Sequence, residues 1–383
     1  MNATKHFKNF FFFFFLLLFA ACSSKNTVPN VLVAPFVLSV NNPNSLVVTA
    51  DIQNNNLSLI SLTSNSVIGG GPIITSSSSI ILPTLPQDLA TFNIGNGITR
   101  IFIVGTGTSP SNTIVVLDYN PTTGIALSPI SPITVGSGSS DILLGLAVNS
   151  TLGVVYVSDN TASVIHAYNA NTGAEESNSP ISVQASPGKM HWNSVTNQLI
   201  VSSLTTNSIS LIDTTDLSQA IQTLDVGGFT SSVASATNSS GTALFVIEPQ
   251  TNEVLVYNLN TSNPSASTQI GTTITPPPLG TSITTSDVLS GAATIMTAGP
   301  LASGMLGGFF TQSTGDMGWV NVASDLSSYS AGRVPVLNGQ NAYGISPQTD
   351  SNGNVLNAYF ASPNGSAITW VDVVNNTFAG QLL

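Results

Sequence analysis

Side chains that could carry out chemistry are scarce in this sequence of 383 residues. Zinc sites in proteins are built mainly from His and Cys ligands. After Cys22 the chain contains no further Cys and only two histidines, His166 and His191, so neither a three-His site nor a Cys-rich site can be assembled. Each histidine stands in an apolar β-rich run, which is typical of a structural or surface position. The sequence therefore predicts no metal site.

Calcium needs only oxygen ligands, and the stretch "TDSNGN" (349–354) offers Asp350, Asn352 and Asn354 at alternate positions. The spacing does not fit an EF-hand loop, because Gly353 falls one place early and no Glu closes the loop. An Asn-Gly hairpin turn explains the stretch without a metal ion.

Nucleophilic catalysis requires a Ser or Cys together with a base and an orienting acid. No G-x-S-x-G nucleophile motif is present. Asp141 ends the stretch "GSGSSD" (136–141) just before a predicted inner strand and is typical of a turn cap. The adjacent pair Glu175 and Glu176 follows an Asn-Thr-Gly turn and is expected to be solvated. The sequence predicts no catalytic residue, no cofactor-binding residue and no cofactor.

The three tryptophans could line a sugar-binding or peptide-binding surface, because Trp is favoured at interfaces. The three are Trp192, Trp319 and Trp370, and the last two occupy equivalent places in two repeats described below. This equivalence favours a shared packing role.

Charge excludes one large class of partners. The formal net charge is −11, and removal of an N-terminal signal segment with Lys5 and Lys8 leaves 4 − 17 = −13. The remaining strong cations are Lys25, Arg100, Lys189 and Arg333. Nucleic-acid binding depends on clustered Lys and Arg. We therefore expect no nucleic-acid partner.

The N-terminus is predicted to be a secretory signal. Two lysines, Lys5 and Lys8, precede an apolar run of 12 residues from Phe10 to Ala21. This run is too short to span a bilayer, which requires ~20 apolar residues. A cationic start, a short apolar middle and a small-residue exit are the three parts of a signal peptide. We predict a signal peptide over residues 1–21.

The residues Phe19-Ala20-Ala21-Cys22 resemble the lipobox of bacterial lipoproteins. This resemblance implies cleavage between Ala21 and Cys22 and diacylation of Cys22, which would become the mature N-terminus. The alternative is an ordinary signal peptide in which the Cys has no role. Cys22 is the only Cys of the chain, and Ser23 and Ser24 after it favour the outer membrane under the sorting rule of enteric bacteria. We expect a cell-envelope lipoprotein with a lipid anchor and residues 22–35 as its tether.

Repeats dominate the rest of the sequence. Alternating apolar runs that end in Asn or Asp recur at spacings of 44 to 63 residues, as in "TIVVLDYN", "SVIHAYN", "SISLID", "EVLVYN" and "AITWVD". Another β-rich run precedes each by ~10 residues, and further short runs flank each pair. Four short strands per unit, in seven units over residues 36–383, predict an all-β fold, a seven-bladed β-propeller of four-stranded antiparallel blades. Two tandem β-sandwiches are the alternative.

The runs "VVYVSDNTASVIHAYNANTG" and "QLIVSSLTTNSISLIDTTD" resemble the YVTN-type and lactonase-like seven-bladed propeller repeats. The likeness is good over about 140–260 and weak where long inserts are predicted at 63–99 and 262–303. The second insert contains Pro276, Pro277 and Pro278 and is either an exposed loop or a binding loop.

The functional expectation is a non-enzymatic binding scaffold, anchored in the outer membrane, with a protein or glycan partner in the envelope. The lactonase resemblance implies an alternative, hydrolysis of a sugar lactone. A scaffold for barrel assembly is a third possibility, although its Trp-bearing repeat signature is not evident.

Overall fold

The computed structural model describes residues 37–40, 46–51, 56–61, 66–68, 80–83, 85–106, 112–136, 141–275, 288–289, 293–335, 344–362 and 367–382. The predicted signal peptide, the cleavage site at Ala21 and Cys22, and the tether lie outside these residues, as do the prolines at 276–278. Within the described ranges, no helix combines the length and the apolar character that crossing a membrane would require.

Consecutive strands pair antiparallel into sheets. Sheet 1 contains β1 (Val37–Val40), β2 (Leu46–Asp51), β3 (Asn56–Ser61) and β4 (Ser66–Val67). Sheet 2 contains β5 (Leu85–Gly95), β6 (Ile98–Thr106), β7 (Thr113–Asn120), β8 (Gly124–Leu127) and β9 (Ile133–Thr134). Sheet 3 contains β10 (Leu143–Asn149), β11 (Val154–Asp159), β12 (Val164–Asn169) and β13 (Ile181–Ser182).

The remaining sheets follow the same order along the chain. Sheet 4 contains β14 (Pro187–Asn193), β15 (Gln198–Ser203), β16 (Ser208–Asp213) and β17 (Gln222–Asp225). Sheet 5 contains β18 (Ser232–Asn238), β19 (Gly241–Glu248), β20 (Glu253–Leu259) and β21 (Thr268–Gln269). Sheet 6 contains β22 (Ala293–Pro300), β23 (Leu306–Gln312), β24 (Met317–Val322) and β25 (Tyr329–Val334). Sheet 7 contains β26 (Gly344–Thr349), β27 (Val355–Ser362), β28 (Ala367–Asp372) and β29 (Thr377–Leu382).

Six of these sheets have the four antiparallel strands predicted for a blade, whereas sheet 2 has five. Sheet 2 differs from the prediction because its outer edge contains Pro129 and Pro132. Proline has no N–H to donate to a sheet ladder and interrupts a strand. The edge is therefore divided into β8 and β9, which both pair with β7.

The sheets pack side by side around their first strands. The first strand of each sheet contacts that of the next, and β26 contacts β1. Buried side chains fill the spaces between neighbouring sheets: Phe245 and Phe310 share a cluster between sheets 5 and 6, and Phe309 and Phe360 share one between sheets 6 and 7. This is the architecture of a β-propeller.

Regular strands extend into the two ranges predicted as inserts. The range 63–99 includes β4 and β5, and the range 262–303 includes β21 and β22. The connections left between strands are 68–84 and 270–292, which are the longest in the chain. The first strands of sheets 2 and 6 lie in these predicted inserts, and a β-bulge interrupts the apolar alternation of each.

The direction of the strands shows at which end of the sheets these two intervals leave one strand and enter the next. Neighbouring first strands run the same way, since Met296 N donates to Ser232 Oγ near their starts and Asn193 contacts Thr237 near their ends. The connections that lead into the first and third strands therefore open at one end, which we call the loop face. Strands β4 and β21 end at this face, and strands β5 and β22 begin at it. The opposite end is the turn face.

In four of the sheets, the polar residue that ends the third strand has a physical role at the turn face. The third strands β7, β12, β16 and β28 end in Asn or Asp, and each side chain accepts a hydrogen bond from the backbone N–H two residues further along. Such Asx turns reverse the chain without a helix. The residues are Asn120, Asn169, Asp213 and Asp372.

Candidate functional site

The same irregularity recurs in four first strands, close to the loop face. Register shifts occur between Pro86 and Asp88, Leu143 and Leu146, Pro187 and Met190, and Ala293 and Met296. A β-bulge leaves a residue unpaired and re-aims its side chain, and bulges are over-represented next to active sites. The bulged segments are therefore candidate sites.

Two of the bulges bring opposite charges together in what we call the axial pair, Asp88 and Lys189. Lys189 Nζ lies 3.3 Å from Asp88 Oδ2, and the side chains are 21% and 16% exposed. Lys189 also donates to the backbone carbonyl of Gln87. Asp88 Oδ2 accepts a hydrogen bond from Leu146 N, and Oδ1 accepts one from Leu89 N, both at 2.9 Å. One carboxylate thus joins sheets 2, 3 and 4.

Glycine makes this close approach possible. A Cβ atom on Gly145 would lie 2.4 Å from the carbonyl oxygen of Gly188 and 3.2 Å from the Cα of Lys189. Ser158 Oγ fixes the contact, because it accepts from Gly145 N at 2.8 Å and donates to Gly188 O at 2.9 Å. Sheets 3 and 4 therefore meet through backbone atoms beside the axial pair.

His191 follows Lys189 by two residues on the same strand. Burial lowers the pKa of His191 to about 4, so its imidazole is neutral at neutral pH. Burial also lowers the pKa of Lys189, although the neighbouring carboxylate of Asp88 opposes that effect. The first strand β5 thus carries the carboxylate of Asp88, and the first strand β14 carries the ammonium of Lys189 and the neutral imidazole of His191.

A second titratable group, which we call the His166 cluster, lies where sheet 3 meets the end of sheet 2. His166 Nδ1 is 2.8 Å from Glu175 Oε1, and His166 Nε2 is 3.9 Å from Asp159 Oδ2. Ser179 Oγ donates to the same Glu175 oxygen at 2.7 Å. The side chains of His166 and Asp159 are 7% and 1% exposed. Glu175, expected to be only solvated, is instead a partner of His166.

Asp141 lies beside this cluster. A Cβ atom on Gly136 would lie 2.7 Å from Asp141 Oδ2, 3.6 Å from Asp159 Oδ2 and 3.7 Å from His166 Nε2. Tyr168 stacks on the imidazole with ring centroids 6.2 Å apart, and its hydroxyl donates to the carbonyl oxygen of Thr134 in sheet 2. The connection between sheets 2 and 3 is therefore held against a histidine surrounded by carboxylates.

The charges within the cluster stabilise one another. Burial raises the pKa of Asp159 and of Glu175, but His166, together with backbone N–H groups at Asp159 and the hydroxyl of Ser179 at Glu175, lowers both pKa values overall. In turn, burial would lower the pKa of His166, but the two carboxylates raise it. Ser179 is hydrogen-bonded to Glu175 and not to the imidazole, so the cluster is not arranged as the Ser–His pair of acyl transfer.

The two arginines of the described chain form ion pairs and hydrogen bonds within the fold. Arg100 donates to both carboxylate oxygens of Asp118, at 2.7 and 2.9 Å, and to the carbonyl oxygens of Ala170 and Asn171. Arg333 pairs with Asp316. Every strong cation in the described part of the chain thus has a carboxylate partner. In the same part, no three residues among His, Cys, Asp and Glu are grouped closely enough to hold a metal ion.

Two further candidates from the sequence are turn and packing residues. Asp350 Oδ1 accepts hydrogen bonds from the backbone N–H groups of Asn352 and Asn354, which forms the predicted turn. Trp319 and Trp370 pair across their sheets with Gly332 and Gly380. Cβ atoms on those glycines would lie 2.5 and 2.2 Å from the indoles. The shared packing role is confirmed for these two tryptophans.

Sequence reasoning did not find the axial pair. Asp88 fell inside a predicted insert, and Lys189 was counted only as one of four cations. For Glu175 the sequence did contain a signal, the Asn-Thr-Gly turn that precedes it. After this turn the chain folds back along β12, and Glu175 forms an isolated bridge with Tyr168. Hairpin register alone would have placed Glu175 beside the strand that carries His166.

Comparisons with known proteins support the fold assignment but do not identify an activity. No family model and no curated protein sequence matches the chain. Among solved structures, virginiamycin B lyase from Staphylococcus aureus aligns with a TM-score of 0.59 and 13% identity, over 88% of this chain and 95% of that chain. Dihydro-heme d1 dehydrogenase NirN, in complex with DHE, aligns with a TM-score of 0.57 and 13% identity, over 91% of this chain and 66% of that one. A chain of the mitotic checkpoint complex aligns with a TM-score of 0.57 and 12% identity, over 89% and 94%. At such low identity, these likenesses show the β-propeller fold alone.

Proposed function

We propose that the protein is a lipid-anchored envelope protein whose β-propeller serves as a non-enzymatic binding scaffold. The observation that carries this proposal is the use of its charged side chains. The described strong cations and the His166 cluster all join strands or sheets to one another. Such groups stabilise a rigid framework, and a rigid framework that carries variable loops is a common basis for binding.

The loop face is the proposed binding surface. The strands that flank residues 68–84 and 270–292 end or begin at this face, and these two stretches of sequence are rich in Ser, Thr, Pro and Gly and include few charged residues. Recognition there would depend on shape and on neutral hydrogen bonds, as expected for an uncharged protein segment or a glycan of the envelope. Long-range electrostatic steering would contribute little.

We further propose that all seven sheets are blades of one closed ring. Sheet 2 becomes a blade of the ordinary kind if β8 and β9 are counted as one interrupted fourth strand. The contact between β26 and β1 supports closure of the ring. This count agrees with the resemblance of the repeats to YVTN-type propellers.

The lipid anchor is tested by changing Cys22→Ala and, as a matched control, Ser23→Ala. Cells labelled with a palmitate analogue should show label on the wild type and on the Ser23 variant but not on the Cys22 variant. Only the Cys22 variant should leave the membrane fraction. Membrane retention of unlabelled Cys22→Ala protein would contradict the anchor.

A tag after Leu383, detected on intact and on permeabilised cells, would report which side of the membrane the domain faces.

The second candidate is a lactonase-like hydrolase, for which the ion pair of Lys189 and Asp88, with His191 two residues further along the same strand as Lys189, is the place to look. We expect the purified full chain not to hydrolyse sugar lactones. Turnover by the wild type that is lost in Lys189→Met but kept in Arg333→Met would instead establish an enzyme and refute the scaffold.

A further inference from the structure

The His166 cluster lies at the loop face, beside the connection from sheet 2 to sheet 3. Asp159 ends the second strand β11, and Asp141 precedes the first strand β10, so both carboxylates are at this face. Gly136 is the last described residue on the sheet 2 side of the connection. A Cβ atom there would have Asp141 Oδ2, Asp159 Oδ2 and His166 Nε2 all within 4 Å. The described ends of the connection are therefore packed directly against the cluster.

Four titratable side chains surround the imidazole, three from other segments and one from its own strand. They are Asp159 on β11, Asp141 before β10, Glu175 after β12 and Tyr168 on β12. Burial raises the pKa of the Tyr168 hydroxyl, which stays protonated and donates to the carbonyl oxygen of Thr134. The described arginines and Lys189 are paired elsewhere. Among these groups, only the imidazole can carry a positive charge.

The two ring nitrogens of His166 have different partners. Nδ1 lies 2.8 Å from Glu175 Oε1, and a carboxylate can only accept a hydrogen bond. Nδ1 must therefore carry a proton in the charged and in the neutral form of the ring. It is Nε2 that gains or loses a proton, and Nε2 is 3.9 Å from Asp159 Oδ2. Titration of the ring thus acts on the Asp159 side of the cluster and preserves the Glu175 side.

Asp159 is poorly able to adjust when Nε2 loses its proton. Its side chain is 1% exposed, and its Oδ1 accepts a hydrogen bond from Ala162 N at 2.9 Å. Its Oδ2 is buried without a hydrogen-bond partner among the described residues. A neutral ring would place a lone pair opposite this oxygen, and a buried carboxylate without a compensating charge is costly. Asp141 is only half-buried, so it is the carboxylate that can move away.

We propose that His166 is a pH switch, in which the charged ring holds Asp141 against sheet 3 and loss of the Nε2 proton releases it. Two hydrogen bonds next to Asp141 would weaken on release. Ile142 N donates to Thr161 Oγ1 at 3.1 Å, and Asn160 N donates to the carbonyl oxygen of Ile142 at 2.9 Å. The exchange of these two amides therefore reports the state of the switch.

The direction of the switch follows from the charge of the ring. Burial opposes that charge, but Asp159 and Glu175 outweigh burial and raise the pKa of His166 above 6.5. The switch is closed below this pKa and opens as the pH rises through it. Opening is local, because the hydrogen bond from Val135 N to the carbonyl oxygen of Asn112 does not involve the ring. The inference does not depend on the binding function proposed above.

The test is amide hydrogen exchange of the purified full chain on both sides of the His166 titration, which ¹⁵N-labelled histidine locates. Protection factors, corrected for the intrinsic pH dependence of exchange, should fall about tenfold at Ile142 and Asn160 when the ring loses its proton. Those of β15 should stay constant. The ¹⁵N chemical shifts should also show that the neutral ring keeps its proton on Nδ1.

Two variants and a matched control isolate the switch. Asp141→Asn removes the charge that a neutral ring would leave uncompensated, and His166→Gln removes the titration, so each should abolish the fall in protection. His191→Gln removes the other histidine of the described chain and should retain the fall. Thermal unfolding shows whether each variant is folded, and Asp141→Asn alone decides the test if His166→Gln is not.

Three results would each overturn the proposal. The first is protection at Ile142 and Asn160 that stays constant through the titration of the wild type. The second is a fall in protection that persists unchanged in folded Asp141→Asn or His166→Gln. The third is a neutral His166 ring that carries its proton on Nε2.

Discussion

The Nδ2 atom of Asn193 lies 2.9 Å from Oγ1 of Thr237, across the boundary between sheets 4 and 5. The same nitrogen lies 2.8 Å from Ser235 Oγ, while Asn193 Oδ1 accepts hydrogen bonds from the backbone of its own turn at Val195 and Thr196. Asn149 and Asn238 repeat this arrangement from sheets 3 and 5, each reaching into the following sheet. One side chain thus sets a turn and fixes the spacing of two sheets.

Replacing Asn193→Ala should reduce the free energy of unfolding by about 2–4 kcal/mol, because the buried hydroxyl of Ser235 loses a partner, the hydroxyl of Thr237 keeps only Thr242, and a turn loses its cap. Asn238→Ala is the matched control. Its acceptors are the exposed carbonyl oxygens of Gly304 and Ser324, which water can satisfy, so the loss should be about 1 kcal/mol. Denaturant unfolding measures both values, and equal losses would show that burial of the acceptors does not matter.

The axial pair should respond unequally to loss of either partner. Asp88→Ala removes the acceptor of Lys189 and of two backbone N–H groups, and should cost about 3 kcal/mol. Lys189→Met leaves Asp88 with its bonds to Leu89 and Leu146, and should cost about 1 kcal/mol. The free energies of unfolding of both variants, measured at the same pH, give the two losses for comparison. A larger cost for Lys189→Met would mean that the ammonium, and not the carboxylate, holds the three sheets together.

The His166 cluster should make stability depend on pH in both directions. Because the folded pKa of His166 is raised above 6.5, its contribution is complete below that value and is lost as the pH rises through the folded pKa. The pKa values of Asp159 and Glu175 are lowered from 3.8 and 4.5, so their contributions are complete above those values and are lost as the pH falls through the folded ones.

Free energies of unfolding across this pH range should therefore decline on the alkaline side in the wild type and decline less in His166→Gln. His191→Gln serves as the control, because the pKa of His191 is about 4 and its titration belongs to the acid side. The same alkaline decline in His166→Gln as in the wild type would show that another group causes it. Imidazole chemical shifts during titration would give the two histidine pKa values directly.

The indole of Trp370 requires a glycine opposite it. Gly380→Ala should cost about 1–3 kcal/mol, because the new methyl group would overlap the ring. Most of that cost should disappear in the background of Trp370→Leu, where a smaller side chain leaves room. A double-mutant cycle on unfolding free energies measures the coupling. Strictly additive effects would refute the proposed contact.

The architecture was predictable from the sequence wherever local signals were strong. Third strands such as β12 and β16 were recognised because alternation and an Asx turn coincide at Asn169 and Asp213. Strand β5 was not recognised, because Pro86 and a bulge break its alternation. The interrupted edge of sheet 2 is visible as "SPISP" only once the strand around it has been assigned.

The contacts between sheets were beyond sequence patterns. Asp88 and Lys189 belong to sheets separated by sheet 3, and their meeting depends on bulges and on the close approach of Gly145 to Gly188. Neither feature has a local signature that distinguishes it from an ordinary glycine turn. His166 and Glu175, by contrast, are joined through a single hairpin, so their pairing follows from register.

Each sheet of this molecule is made from strands that follow one another in sequence, and sheets 1 and 7 share no strand where they meet. The order in which the sheets pack should therefore not depend on which sheets contain the two ends of the chain. A circular permutant that joins β29 to β1 through a linker and is opened in the short connection 226–231 would keep every strand pairing described above. If the seven sheets form one closed ring, as proposed above, no sheet would be privileged as the first, and the geometry would be a property of the sheets and not of their order of synthesis.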